Sequence, residues 1–337
     1  MQTMLFLPAL AAFLASLACL VVLLSPIGRQ LVIDRPNERS LHDLPVPRSG
    51  GIAIAAGVAA CAAVSEAAAL QGTGAILAIA GALAVISLAD DILTLPALLR
   101  LAAHFAAAGA AIGLGIGVAD PVLFALLLLA IAWFANLYNF MDGSDGLAGG
   151  MTVLGFGTYA WAAQQAGHGA LATACGGIAV ATAAFLAVNF HPARLFMGDV
   201  GSVPLGFLAA ALGLLGWRDG VWPLWFPVLV FAPFVCDATL TLVKRLLRRE
   251  RVWEPHKDHY YQRLVRMGFG HRATALIEYG AMAGCAATAM LFRSAEPALQ
   301  AGALGAAAVV LIAIAVWIDA RWARWSRTRG DSGGATA

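Results

Sequence analysis

Long apolar stretches recur along almost the whole chain and limit what it can fold into. A helix needs about 20 apolar residues to cross a bilayer core. Only 12% of the 337 residues are charged, against about 25% in a soluble domain. Cutting at polar or Gly/Pro-rich breaks gives segments near 4–26, 52–70, 74–89, 100–118, 121–140, 147–165, 170–190, 203–217, 222–243, 272–292 and 298–318. The sequence therefore predicts an all-α, polytopic transmembrane helical bundle with about eleven spans.

The distribution of Lys and Arg predicts the orientation of these spans. One alternating set of connections, with the adjoining span edges, holds 19 of the 21 basic residues, and the other set holds only Arg218 and Arg293. Because basic loops stay in the cytoplasm, we expect a periplasmic N-terminus and a cytoplasmic C-terminus. We predict one transmembrane catalytic domain over residues 1–320, with its active-site loops in the cytoplasm, and a basic cytoplasmic tail over 321–337.

Acidic residues gather on the same predicted face, several of them directly at span ends. Carboxylates close to hydrocarbon are costly, so a functional role is the default hypothesis. Five of them lie among Gly and apolar residues: Asp90, Asp91, Asp142, Asp145 and Asp199. Such a cluster implies a bound cation or strongly raised pKa values. Oxygen ligands favour Mg²⁺, or alternatively Mn²⁺, and Mg²⁺ typically needs only one or two protein carboxylates.

Two Gly-rich segments have the composition of phosphate-binding turns. In the first, Asn136, Asn139 and Asp142 are spaced to share one helix face. The helix predicted to begin near Leu147 points its N-terminus at the same loop, where an anion is favoured. The second segment runs from Asn189 to Ser202 and contains Phe196 and Asp199; an aromatic ring there is suited to stack on a nucleobase.

Two further loops carry basic and imidazole groups. The proline-stiffened loop 34–51 contains Arg39, His42 and Arg48, and guanidinium groups bind phosphate oxygens well. His256 and His259 lie three residues apart in the longest predicted inner loop. They are candidates for phosphate binding, metal binding or acid–base chemistry near neutral pH.

Together these motifs resemble the polyprenyl-phosphate N-acetylhexosamine-1-phosphate transferases, over residues from about 30 to 272. The shared patterns are an Asp-Asp pair at 90–91, N-x-x-N-x-x-D-G-x-D-G-L-A at 136–148 and F-M-G-D-x-G-S at 196–202. A fourth, D-x-P-x-x-R-K-x-H-x-x-P-x-P-R-x-G-G, matches 34–51 with Ser40 in place of Lys. The four occur in the family's order on the predicted inner face.

The resemblance implies roles for individual residues. Asp199 and Asp91 are the expected metal ligands, and Asp90 is the candidate for deprotonating the lipid phosphate. The catalytic set is completed by His256 and His259. The expected substrate-binding residues are Asn136, Asn139, Asp142, Asp145, Asn189, Phe196, Arg39, His42 and Arg48, with Phe196 against uracil.

The implied reaction transfers N-acetylhexosamine-1-phosphate from a UDP-sugar to undecaprenyl phosphate in the bacterial inner membrane. The one-step route and a phospho-aspartyl intermediate both remain open. The segment His256-Lys-Asp-His259 departs from the three consecutive His of the peptidoglycan branch. This segment resembles the O-antigen and teichoic-acid branch of the superfamily. Its sequence is most similar to that of enzymes that accept N-acetylfucosamine-type donors.

The expected partners are the UDP-sugar, undecaprenyl phosphate and membrane lipid, with no nucleic acid, and a homodimer is left open. A membrane transporter with a cytoplasmic acidic site is the alternative from another class. CDP-alcohol phosphotransferases also use Asp-Gly motifs, but Asp142-Gly-Ser-Asp145 lacks their Ala-Arg continuation.

Overall fold

A computed structural model describes residues 2–34, 41, 45–65, 72–251, 254 and 256–332. Within this part of the chain the structure is almost entirely helical, which confirms the all-α prediction. The helices are α1 (Gln2–Leu23), α2 (Gly50–Ala63), α3 (Thr73–Leu93), α4 (Ala97–Ala110), α5 (Pro121–Phe140), α6 (Leu147–Gln165), α7 (Gly169–Asn189), α8 (Asp199–Arg218), α9 (Trp225–Val230), α10 (Ala232–Leu247), α11 (Tyr260–Leu264), α12 (Gly270–Phe292) and α13 (Pro297–Ser332). A short antiparallel ribbon pairs β1 (Ile33–Asp34) with β2 (Val46–Pro47).

Helix α8 forms the centre of the bundle and packs against α2, α3 and α5. In the apolar spanning segment of α8, 94% of the residues are buried, whereas in that of α13 only 6% are buried. Small residues permit the close packing: a Cβ on Gly206 would lie 2.4 Å from the carbonyl oxygen of Phe134, and one on Gly51 would lie 2.4 Å from Cα of Gly201. Close backbone approach at small residues is the usual means of helix association in membranes.

Eight of the described helical segments are long and apolar enough to cross a membrane. They correspond to eight of the predicted eleven spans, and the multi-pass prediction is confirmed. The second predicted span corresponds to α2, which has 14 residues, and the sixth to α6, which is long enough but less apolar. The total of eleven and the orientation stay predictions.

The ninth predicted span, 222–243, is divided between α9 and α10 at Phe231. Pro233 stands at the start of α10, where a proline is tolerated. The C-terminal region also differs from a simple tail, because α13 continues through the predicted boundary at 320 as far as Ser332. The division into a domain at 1–320 and a tail at 321–337 remains a prediction.

Candidate active site

A cavity of about 630 Å³ opens where the ends of α3, α5 and α8 meet the loop before α11. Most of the predicted site residues line it: Arg48, Asp90, Asn136, Asn139, Asp142, Asp145, Asn189, Phe196, Asp199, His256 and His259. Asp91 lies beside the lining, in contact with Arg48 and α8. Arg39 and His42 fall outside the described residues. Motifs more than 150 residues apart thus share one cavity.

The last turn of α3 sends its two carboxylates in different directions, because consecutive helical residues are rotated by about 100°. Asp91 points to α8, where Oδ2 accepts a hydrogen bond from the backbone N–H of Val200 at 3.1 Å. Its Oδ1 lies 3.3 Å from Nη2 of Arg48. Asp90 accepts from the backbone N–H of Leu95 at 2.7 Å and from Arg100 at 3.2 Å.

Asp199 is the first residue of α8, where the helix dipole favours a negative charge. The turn before it requires glycine, because Gly198 has φ +76° and a Cβ there would lie 2.4 Å from the carbonyl oxygen of Arg48. Asp199 is hydrogen-bonded to Asn139, and Ser202 Oγ donates to Asn139 Oδ1 at 3.1 Å. Arg100 lies 4.0 Å from Asp199, so one guanidinium faces both Asp90 and Asp199.

Asp142 follows α5 and faces this acidic group. Removal from water raises its pKa well above the ordinary value, and the negative charges of Asp199 and Asp91 raise it further. A hydrogen bond from the backbone N–H of Gly198 partly opposes the rise in pKa. Negative charge therefore exceeds what the surrounding residues compensate.

This surplus of negative charge fits a divalent cation. Asp91 Oδ1 is buried, and its ion pair with Arg48 at 3.3 Å lacks the geometry of a hydrogen bond, so this oxygen keeps coordination capacity beside Asp142 and Asp199. Among the described residues, no three His, Cys, Asp or Glu side chains converge as a ready-made metal cluster. Mg²⁺ does not require such a cluster, because it keeps several waters and takes one or two carboxylates together with substrate phosphates.

Asp145 and Asn189 fix the loops that border the cavity. Asn189 Oδ1 accepts from the N–H of Gly146 at 3.1 Å, and its Nδ2 donates to the carbonyl of Leu195 at 3.0 Å. Asp145 Oδ2 lies 2.7 Å from Nδ1 of His191 and also accepts from a backbone N–H. Their predicted contacts with uridine remain predictions, and the structure adds a loop-bridging role.

Phe196 is held in place by its backbone. Its N–H donates to the carbonyl of Pro47 at 2.8 Å, and its carbonyl accepts from the N–H of Gly50 at 2.9 Å. The ring is half-buried and lines the cavity. The β2 ribbon segment and the F-M-G-D turn are therefore tied together, which delivers Arg48 and Phe196 to the same cavity.

The two predicted imidazoles differ in their surroundings. His259 is buried, and its Nδ1 lies 3.0 Å from Asp237 Oδ1. His256 is half-buried, with its ring 5.0 Å from that of His259. Burial, followed by the charges of His259 and Arg245, lowers the pKa of His256 to about 4. His256 is therefore a neutral imidazole at physiological pH.

Several cavity residues were missed by sequence reasoning, namely Arg100, His104, Ser144, Tyr261 and His271. In the sequence, Arg100 contributes only to the basic bias of the predicted inner loops, although its spacing to His104 places both on one helix face. Asn136 Nδ2 donates to the carbonyl of Ala132 and lies 3.0 Å from Nδ1 of His104. Since an amide nitrogen only donates, Nδ1 is the acceptor and the proton of neutral His104 is on Nε2.

His271 joins two loops that the sequence keeps far apart. Its Nδ1 lies 2.9 Å from Ser144 Oγ, and its Nε2 lies 3.2 Å from the carbonyl of Leu41. A neutral ring therefore carries its proton on Nε2 and accepts from the serine hydroxyl. A single histidine between Gly270 and Arg272 does not indicate this contact in the sequence, and only the fold reveals it.

Carboxylates, guanidinium groups and imidazoles around one cavity in a membrane-embedded helical bundle define a membrane enzyme that acts on phosphate esters. Comparison with known proteins agrees. The profile of glycosyl transferase family 4 matches residues 73–216. A probable undecaprenyl-phosphate N-acetylglucosaminyl 1-phosphate transferase of Bacillus subtilis is 30% identical, covering 80% of this chain and 80% of its own.

Two further relatives have related names. The decaprenyl-phosphate N-acetylglucosaminephosphotransferase of Mycobacterium tuberculosis H37Rv is 31% identical, over 82% of this chain and 80% of its own. The undecaprenyl-phosphate alpha-N-acetylglucosaminyl 1-phosphate transferase of Yersinia pestis is 27% identical, over 77% and 76%. The chain belongs to glycosyl transferase family 4, the polyprenyl-phosphate N-acetylhexosamine-1-phosphate transferase superfamily. This membership favours the enzyme over the transporter alternative.

Proposed function

We propose that this protein transfers N-acetylhexosamine-1-phosphate from a UDP-sugar to undecaprenyl phosphate at the cytoplasmic face of the bacterial inner membrane. The products are UMP and undecaprenyl-diphospho-sugar, the first intermediate of an O-antigen or a related cell-envelope polysaccharide. The main supporting observation is the convergence of Asp90, Asp142, Asp199 and the His256–His259 loop on one cavity. The relatives' names support the lipid carrier and the sugar phosphate.

The reaction is a phosphoryl transfer, in which positioning and charge neutralisation supply most of the catalysis. An oxygen of the lipid phosphate attacks the phosphorus that carries the sugar. The bond from this phosphorus to the bridging oxygen breaks, and UMP leaves with that oxygen. Because the bond from sugar C1 to oxygen is untouched, the anomeric configuration is retained.

Different residues of the cavity have different tasks in this reaction: two bind phosphate charge, and one accepts a proton. Arg48 and Arg100 lie beside the carboxylates and are positioned to bind phosphate oxygens. His259 offers Nε2 to the cavity, since its Nδ1 is engaged by Asp237. Asp90 is the proposed acceptor of the acidic proton of the lipid phosphate. Its Oδ1 accepts a hydrogen bond from the Leu95 N–H, and its Oδ2 accepts one from Arg100, so the carboxylate is held in place.

We also propose that the reaction requires a divalent cation, Mg²⁺ or Mn²⁺. Asp199 and Asp91 would hold it, with Asp142 close by as the third carboxylate. When bound, such an ion neutralises diphosphate charge and stabilises the departing UMP. The proximity of Asp91 and Asp199 to Asp142, whose pKa is raised by burial and by their charges, supports this assignment.

The test is a reaction of purified protein with undecaprenyl phosphate, Mg²⁺ and one UDP-sugar at a time: UDP-GlcNAc, UDP-FucNAc or UDP-QuiNAc. Mass analysis of the lipid identifies a diphospho-sugar product and names the donor, and we expect labelled UMP to exchange into that donor. If no donor yields a lipid-linked product, while the protein is folded and the lipid is present, the proposal is wrong.

A further inference from the structure

The C-terminal helix α13 contacts the bundle at several points: Gln300 accepts a hydrogen bond from Trp225, and Leu304 and Leu311 pack on the main apolar core. The spanning segment of α13 is 6% buried, yet Ile318 is 2% exposed and packs in a small apolar cluster with Tyr260 and Leu264 of α11. The next residue, Asp319, faces the same helix. The contact therefore joins the end of the chain to the segment that directly follows His259.

Asp319 binds three groups on two other helices. It accepts a hydrogen bond from Arg263 Nη1 at 2.9 Å and from the hydroxyl of Tyr260 at 3.4 Å, both on α11. It also forms an ion pair with Lys244 of α10. Arg263 is only 4% exposed, and a buried guanidinium that loses its carboxylate partner is strongly destabilising.

The N-terminal end of α11 is held by Asp237. This carboxylate accepts from the backbone N–H groups of Tyr260 and Tyr261, each at 3.0 Å, and lies 3.0 Å from Nδ1 of His259. Helix α11 has five residues and continues through a π-helical turn, Val265–Phe269, into α12. Its C-terminal end is therefore tied to α12, whereas carboxylates from α10 and α13 hold its N-terminal end and side chains, and with them His259.

We propose that Asp319 is a positioning residue: from outside the cavity it fixes α11, so that His259 keeps the orientation required for sugar-phosphate transfer. This inference rests on the proposed function for its kinetic consequence. Its structural part, the order of residues 256–264, does not depend on the reaction.

The decisive variant is Asp319→Asn, with Glu296→Gln as the matched control. Glu296 is an exposed carboxylate just before the same helix. For Asp319→Asn we expect kcat to fall about tenfold, with KM for the donor changed by less than about twofold, because a transition-state contact is lost. Asp319→Glu should recover most of kcat, and Glu296→Gln should match the unmodified protein.

A double-mutant cycle separates positioning from general damage. In a His259→Ala background, Asp319→Asn should lower kcat by less than about twofold, because coupled residues are not additive. Hydrogen–deuterium exchange should show faster uptake over 256–264 in Asp319→Asn. This measurement needs no substrate, so it decides the structural claim even if the proposed reaction is wrong.

Two results would overturn the inference. One is unchanged exchange over 256–264 in Asp319→Asn. The other is an equal loss of kcat with and without the His259 imidazole. If Asp319→Asn does not fold, Lys244→Met, which removes one of the three partners, is subjected to the same measurements and the same criteria.

Discussion

Asp237 Oδ1 lies 3.0 Å from Nδ1 of His259, and the same carboxylate accepts the N–H groups of Tyr260 and Tyr261 at 3.0 Å each. A carboxylate inside the ninth predicted span thus orients an imidazole that lies 22 residues further along the chain. The contact fixes Nε2 as the nitrogen available to the cavity. Carboxylate–imidazole pairs of this kind hold the ring and its tautomer.

Asp237→Asn should retain the shape of this contact but weaken its control of the tautomer. We expect kcat for sugar-phosphate transfer to fall at least about tenfold, as when a histidine loses its orienting carboxylate. The matched control is Asp120→Asn, since Asp120 is an exposed carboxylate that caps α5. Equal turnover in both variants would show that His259 needs no orientation by Asp237.

Removal of the charge at the start of α8 should abolish the reaction. We expect Asp199→Asn to retain less than about 1% of turnover, because a preorganised electrostatic contact at the reacting phosphate contributes 10²–10³-fold. Asp90→Asn should behave alike. Asp219→Asn, at the other end of the same helix, is the control. Near-normal turnover by purified Asp199→Asn contradicts the assigned role.

The Gly198 turn provides a prediction about stability. Gly198→Ala places a Cβ 2.4 Å from the Arg48 carbonyl oxygen at φ +76° and ψ 169°, a backbone region that essentially only glycine adopts and that costs another residue about 1–3 kcal/mol. We expect a lower melting temperature and loss of activity. Gly157→Ala, where a Cβ meets nothing within 4 Å, should melt like the unmodified protein. If the two variants melt alike, the turn tolerates a side chain.

The lowered pKa of His256 predicts how the free energy of unfolding depends on pH. The folded-state pKa is about 4, below the ordinary value near 6.5, so the unfolded chain binds more protons between these values. Stability therefore rises with pH across this window and is lost as pH falls from 6.5 towards 4.

The measurement is thermal unfolding at pH 7 and pH 5 for the unmodified protein and His256→Gln. On acidification we expect the melting temperature of the unmodified protein to fall by a few degrees more than that of His256→Gln, since one kcal/mol corresponds to a few degrees at this size. Equal losses in both proteins would mean that protonation of His256 does not oppose folding.

Local patterns accounted for much of the site. Asp142 follows α5 as expected, because span ends and Gly-rich turns are encoded by neighbouring residues. Asp199, predicted in the loop before the eighth span, is instead the first residue of α8. Of the fourteen predicted site residues, eleven line one cavity, and Asp91 contacts Arg48 beside it. Sequence reasoning failed for isolated histidines, His104 in an apolar segment and His271 between Gly270 and Arg272, whose partners lie far away in the chain.

The sequence by itself determined the class of fold, the apolar segments and the residues that carry charge to their ends, because hydrophobic length and local spacing act over a few turns. The tertiary structure decided which of these ends meet. Arg100 between Asp90 and Asp199, Asp237 on His259 and Asp319 on Arg263 are contacts between separate helices. Such contacts depend on how the helices pack, and no local pattern specifies that packing.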